Sequence, residues 1–352
     1  MIVNWKIKYC NDVPTDKQPP DYYVFSEDYW FYRYFEEKPE VDVIDVSSFS
    51  WLENFEKEKI RFYIWQALKA IPKLNDYDLV VSHGMQSGVV VSLWRRLFKT
   101  KARHIVFDIG SFASASESGF ALKLMQFASK SIDGLIYHTS SQIEYYKKFF
   151  PWIVKKSQFI RFGADFDFFG QKGATTLNTK DKYMICVGYN KRDWKTLIAA
   201  YKLLNTKTKL KLVGKVMQEY AGIEGVEQIP FVPVNELIDL IQNAEYSVLP
   251  LENMNYSFGQ MTLLQQMALG KCVIAANVFS LKDYFEDRKT AVAYSPGDVK
   301  DLVQKIQLVD TNHQLREEIG KRASARIRTQ NNEMIMAREI DLFFKKVVGE
   351  NY

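Results

Sequence analysis

Short apolar runs recur along this chain, each running into a turn and most followed by a helical pattern. In the first half, Tyr77–Ser82 leads into His83-Gly84-Met85-Gln86-Ser87-Gly88, and His104–Phe107 ends at Asp108-Ile109-Gly110. Gly134–His138 and Gln158–Phe162 continue the series. In the second half, Lys182–Val187 runs into Gly188 and Leu210–Val213 into Gly214, followed by Val226–Phe231, Tyr246–Pro250 and Cys272–Ala275. Between them lie helical patterns such as Val89–Phe98, Phe120–Ile132, Gln142–Phe150 and Thr196–Leu204. Strands that alternate with helices build a parallel, doubly wound sheet, whose ligands sit beyond the C-terminal ends of the strands.

Other elements fit around this series. Tyr22–Ser26 and Val41–Val46 read as strands, and apolar spacing from Trp51 to Leu74 predicts one helix. Gly170–Asp181 is polar and rich in helix breakers, so it reads as a linker. The expected organisation is a first domain over 1–170, a linker over 171–181, a second domain over 182–331 and a closing helix over 332–352. A chain of 352 residues suits two such cores.

Composition narrows the function. A 47% hydrophobic and 25% charged chain is that of a globular protein, and no apolar run of about 18 residues crosses a membrane. The N-terminus lacks the apolar core of a signal peptide, so the cytoplasm is the expected compartment. A net charge of +5 does not call for nucleic acid. Cys10, Cys186 and Cys272 have neither a disulfide framework nor zinc spacing, and no metal or cofactor is expected. The 24 Phe, 20 Tyr and 7 Trp either pack a core or stack sugars, with core packing the simpler reading.

The stretch Asn255–Asn277 carries the chemistry. Ser257-Phe258-Gly259-Gln260 forms a turn, a helix runs from Met261 to Leu269, Gly270 ends it, and Cys272–Ala275 is a buried strand. A glycine turn feeding a helix N-terminus offers free amides and the positive end of a dipole to a diphosphate. This stretch resembles the donor-site signature of GT-B glycosyltransferases, in particular the retaining family-4 (group 1) enzymes. Two glutamates of that signature fall at Ser257 and Gln265, and its proline at Cys272.

Further segments support the resemblance: Ser157–Phe169, His138-Thr139-Ser140-Ser141, and Gly188 through Leu197-Ile198. It implies two Rossmann-like domains facing across a cleft, with the last helix returning to the first domain. It also implies hexosyl transfer from a UDP- or GDP-linked sugar to a saccharide or lipid-linked acceptor with retention, as in polysaccharide biosynthesis. Donor contacts then fall on Gly188, Arg192, Lys195, Phe231, Val232, Ser257, Phe258, Gly259, Gln260, Met261, Thr262 and Gln265. Arg192 matches the family's diphosphate-binding lysine, and the alternative for Arg192-Asp193-Trp194-Lys195 is a solvated helix start. Asp108 and His83, at strand ends of the first domain, are candidates for contacting the sugar or taking the acceptor's proton; a strand-end carboxylate also caps turns.

Leu93–Arg103 mixes Trp94, Leu97 and Phe98 with five basic residues, a pattern that suits either a membrane surface at the inner face or a half-buried helix. A sugar-nucleotide epimerase or a phosphorylase on the same architecture is the competing enzyme class; an epimerase would need paired acid–base residues, which the sequence does not display. Substitution of both glutamates also fits a partner subunit without catalysis.

Overall fold

The computed structural model describes residues 6–10, 30–44, 50–56, 62–110, 112, 117–170, 182–188, 190–254 and 256–349. The chain divides into two compact units. One comprises Met1–Arg161, Asn255–Ser257 and Met336–Tyr352; the other comprises Phe162–Met254 and Phe258–Ile335.

The first unit holds a parallel sheet of β1 (Lys6–Cys10), β2 (Glu40–Ile44), β3 (Leu79–His83), β4 (Arg103–Asp108), β5 (Gly134–Tyr137) and β6 (Ser157–Phe159). Its order is β2-β1-β3-β4-β5-β6, so the winding reverses between β1 and β3. The crossover helices are α1 (Ser50–Phe55), α2 (Ile64–Ala70), α3 (Met85–Leu97), α4 (Phe120–Ser129), α5 (Gln142–Phe149) and α6 (Pro151–Val154).

Two sequence expectations change here. β1 was not anticipated, and the helix expected over Trp51–Leu74 is broken. Trp65 at the start of α2 donates its amide to the Glu56 carboxylate at 2.8 Å, which ties a new helix start to the end of the previous one. Pro72 then sits in a 3-10 turn over Ile71–Asp76, where its missing N–H does no harm. The strand expected at Tyr22–Ser26 lies outside the described residues.

Aromatic side chains of the N-terminal region enter the core. Phe31, Tyr32 and Phe35 are buried. Phe31 lies 5.8 Å, ring to ring, from Phe107, and Phe35 lies 5.9 Å from Phe344. Two buried histidines brace the same unit. His104 is held through Nε2 by the Ser82 hydroxyl at 2.9 Å and through Nδ1 by the Ser92 hydroxyl at 3.3 Å. His138 Nδ1 bonds the Ile160 carbonyl at 2.7 Å.

Burial holds both imidazoles neutral: His104 falls well below 6.5, and His138 falls from 6.5 to about 4. The unfolded chain therefore binds these protons at a higher pH than the folded one. Stability is complete above about pH 6.5 and declines as the pH falls from there toward 4, by ~1.4 kcal/mol per pH unit for each histidine. Urea midpoints taken across this window should fall, and His138→Asn, which keeps a donor near the Nδ1 position, should flatten the slope by about half.

The second unit holds β7 (Tyr183–Val187), β8 (Lys209–Val213), β9 (Val226–Ile229), β10 (Tyr246–Leu249), β11 (Val273–Ala276) and β12 (Val292–Tyr294), all parallel. The order β12-β11-β10-β7-β8-β9 places the first strand at the centre and reverses the winding between β7 and β10. Helices α7 (Phe166–Gly170), α8 (Trp194–Leu203), α9 (Val234–Gln242), α10 (Gln260–Ala268), α11 (Val299–Thr311) and α12 (His313–Gln330) accompany it.

The boundary falls at Arg161, earlier than the 170 expected, because Ala164 and Phe169 are buried in the second unit's core with Phe166 and Phe168 packed against it. The linker expected over 171–181 lies outside the described residues. The closing helix α13 (Glu333–Gly349) counts with the first unit from Met336 onward. Phe344 packs there against Tyr32 and Phe107. No helix among the described residues is long and apolar enough to cross a membrane.

Candidate functional site

In an open parallel sheet, a crevice forms where neighbouring strands send their helices to opposite faces. In the second unit that place is the C-terminal end of β7 and β10. The two loops that leave these strands are zipped together. Arg192 and Leu251 form an antiparallel bridge, Asp193 N donates to Pro250 O at 3.1 Å, and Glu252 N donates to Lys191 O at 3.2 Å. The zip sets the start of α8 beside the loop that leads to α10.

Arg192 occupies the centre of this arrangement. Its Nε donates to Val187 O at 2.9 Å and its Nη1 to Asn190 O at 2.9 Å. Its Nη2 donates to the Thr262 hydroxyl, in the first turn of α10, at 3.0 Å. The side chain is only 8% exposed. No carboxylate pairs with it among the described residues, and burial lowers its proton affinity below the usual arginine value. A buried guanidinium satisfied by neutral acceptors keeps its full charge uncompensated. Beside it, the first amides of α10 lack partners within the helix. Together they form a place for an anion.

Glycine at 188 is what lets the guanidinium lie there. Gly188 has φ +90°, and a Cβ built on it would meet Arg192 Nη2 at 2.5 Å. Gly259, at φ +80°, caps the N-terminus of α10 in the left-handed region, and a Cβ there would lie 2.5 Å from Leu251 Cδ1. Each glycine thus leaves room for a side chain of its own loop, Arg192 in one and Leu251 in the other.

The cluster Arg192-Asp193-Trp194-Lys195 separates into different tasks. Asp193 caps α8, accepting from Thr196 N at 3.0 Å, and Trp194 packs against the core. Lys195 is exposed on the first turn. Phe231, 67% exposed, follows β9, whereas Val232 packs against the cluster of Tyr183, Ile185 and Ile241.

On α10, the Gln260 side chain turns inward and donates to Ser280 O at 2.8 Å, leaving the backbone amide, the group expected to serve, at the helix start. Met261 is exposed and Gln265 half-buried, and Phe258 packs against the core. Ser257 counts with the first unit. The Thr262 hydroxyl is the contact that sequence reasoning missed, since only its amide was expected to serve.

Asp108, expected near the reacting groups, has a different task. It is fully buried at the end of β4. Its Oδ1 accepts from Gly110 N at 2.8 Å and Phe112 N at 3.4 Å. Its Oδ2 accepts from Gln142 Nε2 at 3.0 Å and the Tyr146 hydroxyl at 2.5 Å. Burial, and then the Asp108 charge, push the Tyr146 phenol well above its ordinary value, so the proton stays on tyrosine. The carboxylate holds the loop after β4 and has no free face for an acceptor's proton. His83 ends β3 beside the reversal in the first sheet, half-buried against Trp30 at 5.4 Å and Phe107 at 5.9 Å. Among the described residues no three His, Cys, Asp or Glu side chains gather as a metal site would require.

Residues 168–326 match the family of glycosyl transferases group 1. Solved structures similar to the chain include sucrose-phosphate synthase from Thermosynechococcus elongatus, at 16% identity and TM-score 0.76, covering 98% of this chain and 100% of that one. Anabaena HepE in complex with UDP and glucose is similar at 13% identity and TM-score 0.74, covering 97% and 100%. A glycosyltransferase from Rickettsia africae matches at 14% identity and TM-score 0.72, covering 99% and 100%. No curated protein matches the chain. The fold is that of the GT-B glycosyltransferases.

Proposed function

We propose, from the premise of a GT-B chain whose residues 168–326 match the group 1 glycosyl transferases, that this protein transfers a hexosyl group from a nucleotide sugar to a saccharide or lipid-linked acceptor. The observation that carries the reading is Arg192, a buried cation with no carboxylate partner among the described residues, set beside the N-terminus of α10. A leaving diphosphate needs positive charge that is already in place when the glycosidic bond breaks. Arg192 and the amides of Gly259–Thr262 supply it, with Lys195 as an exposed second cation.

Gly188 keeps the backbone clear of the phosphates. Phe231 and the backbone of Val232 meet the base, and Gln265, whose amide both donates and accepts, serves the ribose hydroxyls. His83 is the remaining candidate for the donor sugar or acceptor, with Asp108 fixing the neighbouring loop. The transfer runs with retention, without a resident metal or cofactor, in the cytoplasm. HepE was solved with UDP and glucose, which makes a UDP-linked hexose the first donor to try.

A thermal-shift series with UDP, GDP, ADP and their sugar conjugates tests the reading. A ligand at a hundredfold excess over its Kd adds about 2.7 kcal/mol of stability, enough for a shift of several degrees. One nucleotide family should raise the melting temperature and the others should not. Silence across the series favours the second reading, a partner subunit without catalysis, for which the neutral Ser257 and Gln265 at both signature positions speak.

A further inference from the structure

The helices α3 and α4 pack together in the first unit and expose a shared apolar face. On α4 the outward stripe is Phe120, Lys123, Phe127 and Lys130, a spacing that keeps all four on one side of a helix. At the end of α3, Trp94, Leu97 and Phe98 are exposed, and the Trp94 and Phe98 rings stack at 4.1 Å. Arg96 joins the two helices, its guanidinium 5.2 Å from the Phe127 ring centre. Phe120 is 81% exposed and Leu97 71%. Large apolar groups this exposed, and gathered on one face, mark an interaction surface.

Neither helix of the patch carries an acid. From Met85 to Phe107 and from Ser118 to Ile132 the sequence holds no Asp or Glu. Arg95 and Arg103 turn inward to Asp133, at 2.8 and 3.3 Å. Lys101 reaches Asp78 at 3.6 Å. Arg96, Lys99, Lys123 and Lys130 are exposed, with the Lys130 ammonium 5.2 Å from the Trp152 ring centre.

We propose that this face docks on an anionic phospholipid surface, with Trp94, Leu97, Phe98, Phe120 and Phe127 entering the headgroup boundary and the four outer cations meeting lipid phosphates. Aromatic rings suit that boundary because one end stays wet while the other enters hydrocarbon. Cations near an anionic leaflet each add about a fivefold gain in binding. A protein partner would meet the same apolar groups, but two helices that carry exposed cations and no acid fit a surface that is uniformly negative. The inference stands apart from the donor-site reading, since it uses no residue of that site.

The test is co-sedimentation of the full chain with vesicles of phosphatidylcholine alone and of phosphatidylcholine mixed with phosphatidylglycerol. The chain should sediment with the mixed vesicles, and rising salt should release it. Lys99→Ala with Lys123→Ala should weaken binding about twentyfold. Leu97→Glu should weaken it at least about tenfold, since it sets an acid against the lipid phosphates. Both positions are exposed, so an unchanged melting temperature checks the fold. Equal binding to both vesicle types, no binding to either, or variants that bind as well as the parent would overturn the proposal. So would light scattering that shows a dimer dissolved by Leu97→Glu, because a second copy would then cover the face.

Discussion

Asp108→Ala is expected to destabilise the first unit by about 3 to 5 kcal/mol, the range for removing one member of a buried charged network. The loss has identifiable parts. The Tyr146 hydroxyl, the Gln142 amide and the Gly110 N–H all donate to this carboxylate, and all three are buried. Each buried donor left without an acceptor costs ~1–3 kcal/mol, partly recovered where water can enter the space left behind. Asp108→Asn keeps the shape but turns a donor toward donors, and should cost about 1–2 kcal/mol.

Urea unfolding with Tyr146→Phe as the second arm of a double-mutant cycle measures the coupling between the two side chains. Additivity within ~0.5 kcal/mol would contradict the network described here. Turnover supplies an independent check: in a group that only holds a loop, Asp108→Asn should retain measurable activity.

Arg192→Ala should weaken nucleotide binding about tenfold to a hundredfold, the worth of one or two hydrogen bonds from a charged donor. Removing a buried uncompensated cation has a second effect, because three acceptors lose their donor. Val187 O, Asn190 O and the Thr262 hydroxyl then face an empty space, at ~1 kcal/mol or more each unless water replaces the guanidinium. Affinity and stability thus move together, which complicates a single variant.

Gly188→Ala keeps the cation and moves it, and alanine at φ +90° adds backbone strain that urea unfolding reads apart from the Kd. The added methyl meets Arg192 Nη2 at 2.5 Å and cannot be relieved by rotating the alanine, so the guanidinium has to move. The charge stays in the protein while its position is lost. Calorimetric titration with the nucleotide found by thermal shift should show at least a tenfold weaker Kd for Gly188→Ala; an unchanged Kd would remove Arg192 from the donor site.

Much of this was legible in the sequence because its causes are local. Apolar runs ending in glycine mark β7, β8 and the loop before α10, and Gly270 at φ +72° ends that helix as its position requires. What the sequence could not show is direction. Arg192, Asp193, Trp194 and Lys195 are adjacent and polar or aromatic, yet only the backbone bridge to Leu251 decides which of them turns inward. Asp108 looked reactive for the same reason: a strand-end carboxylate is common to catalytic sites and to turns. Its partner Tyr146 lies 38 residues away, beyond anything periodicity reports. The break between α1 and α2 likewise depends on Glu56 reaching Trp65, a contact that apolar spacing does not encode.

The closure between the loops after β7 and β10 has a kinetic consequence. Arg192 and Thr262 are 70 residues apart, and every strand pairing of this unit is parallel and therefore non-local. The anion site cannot exist before the central strand pair does, so a nucleotide has nothing to hold in a half-formed chain. Bound nucleotide should accordingly leave the refolding rate almost untouched and lengthen the lifetime of the native state, placing nearly all of its effect on unfolding.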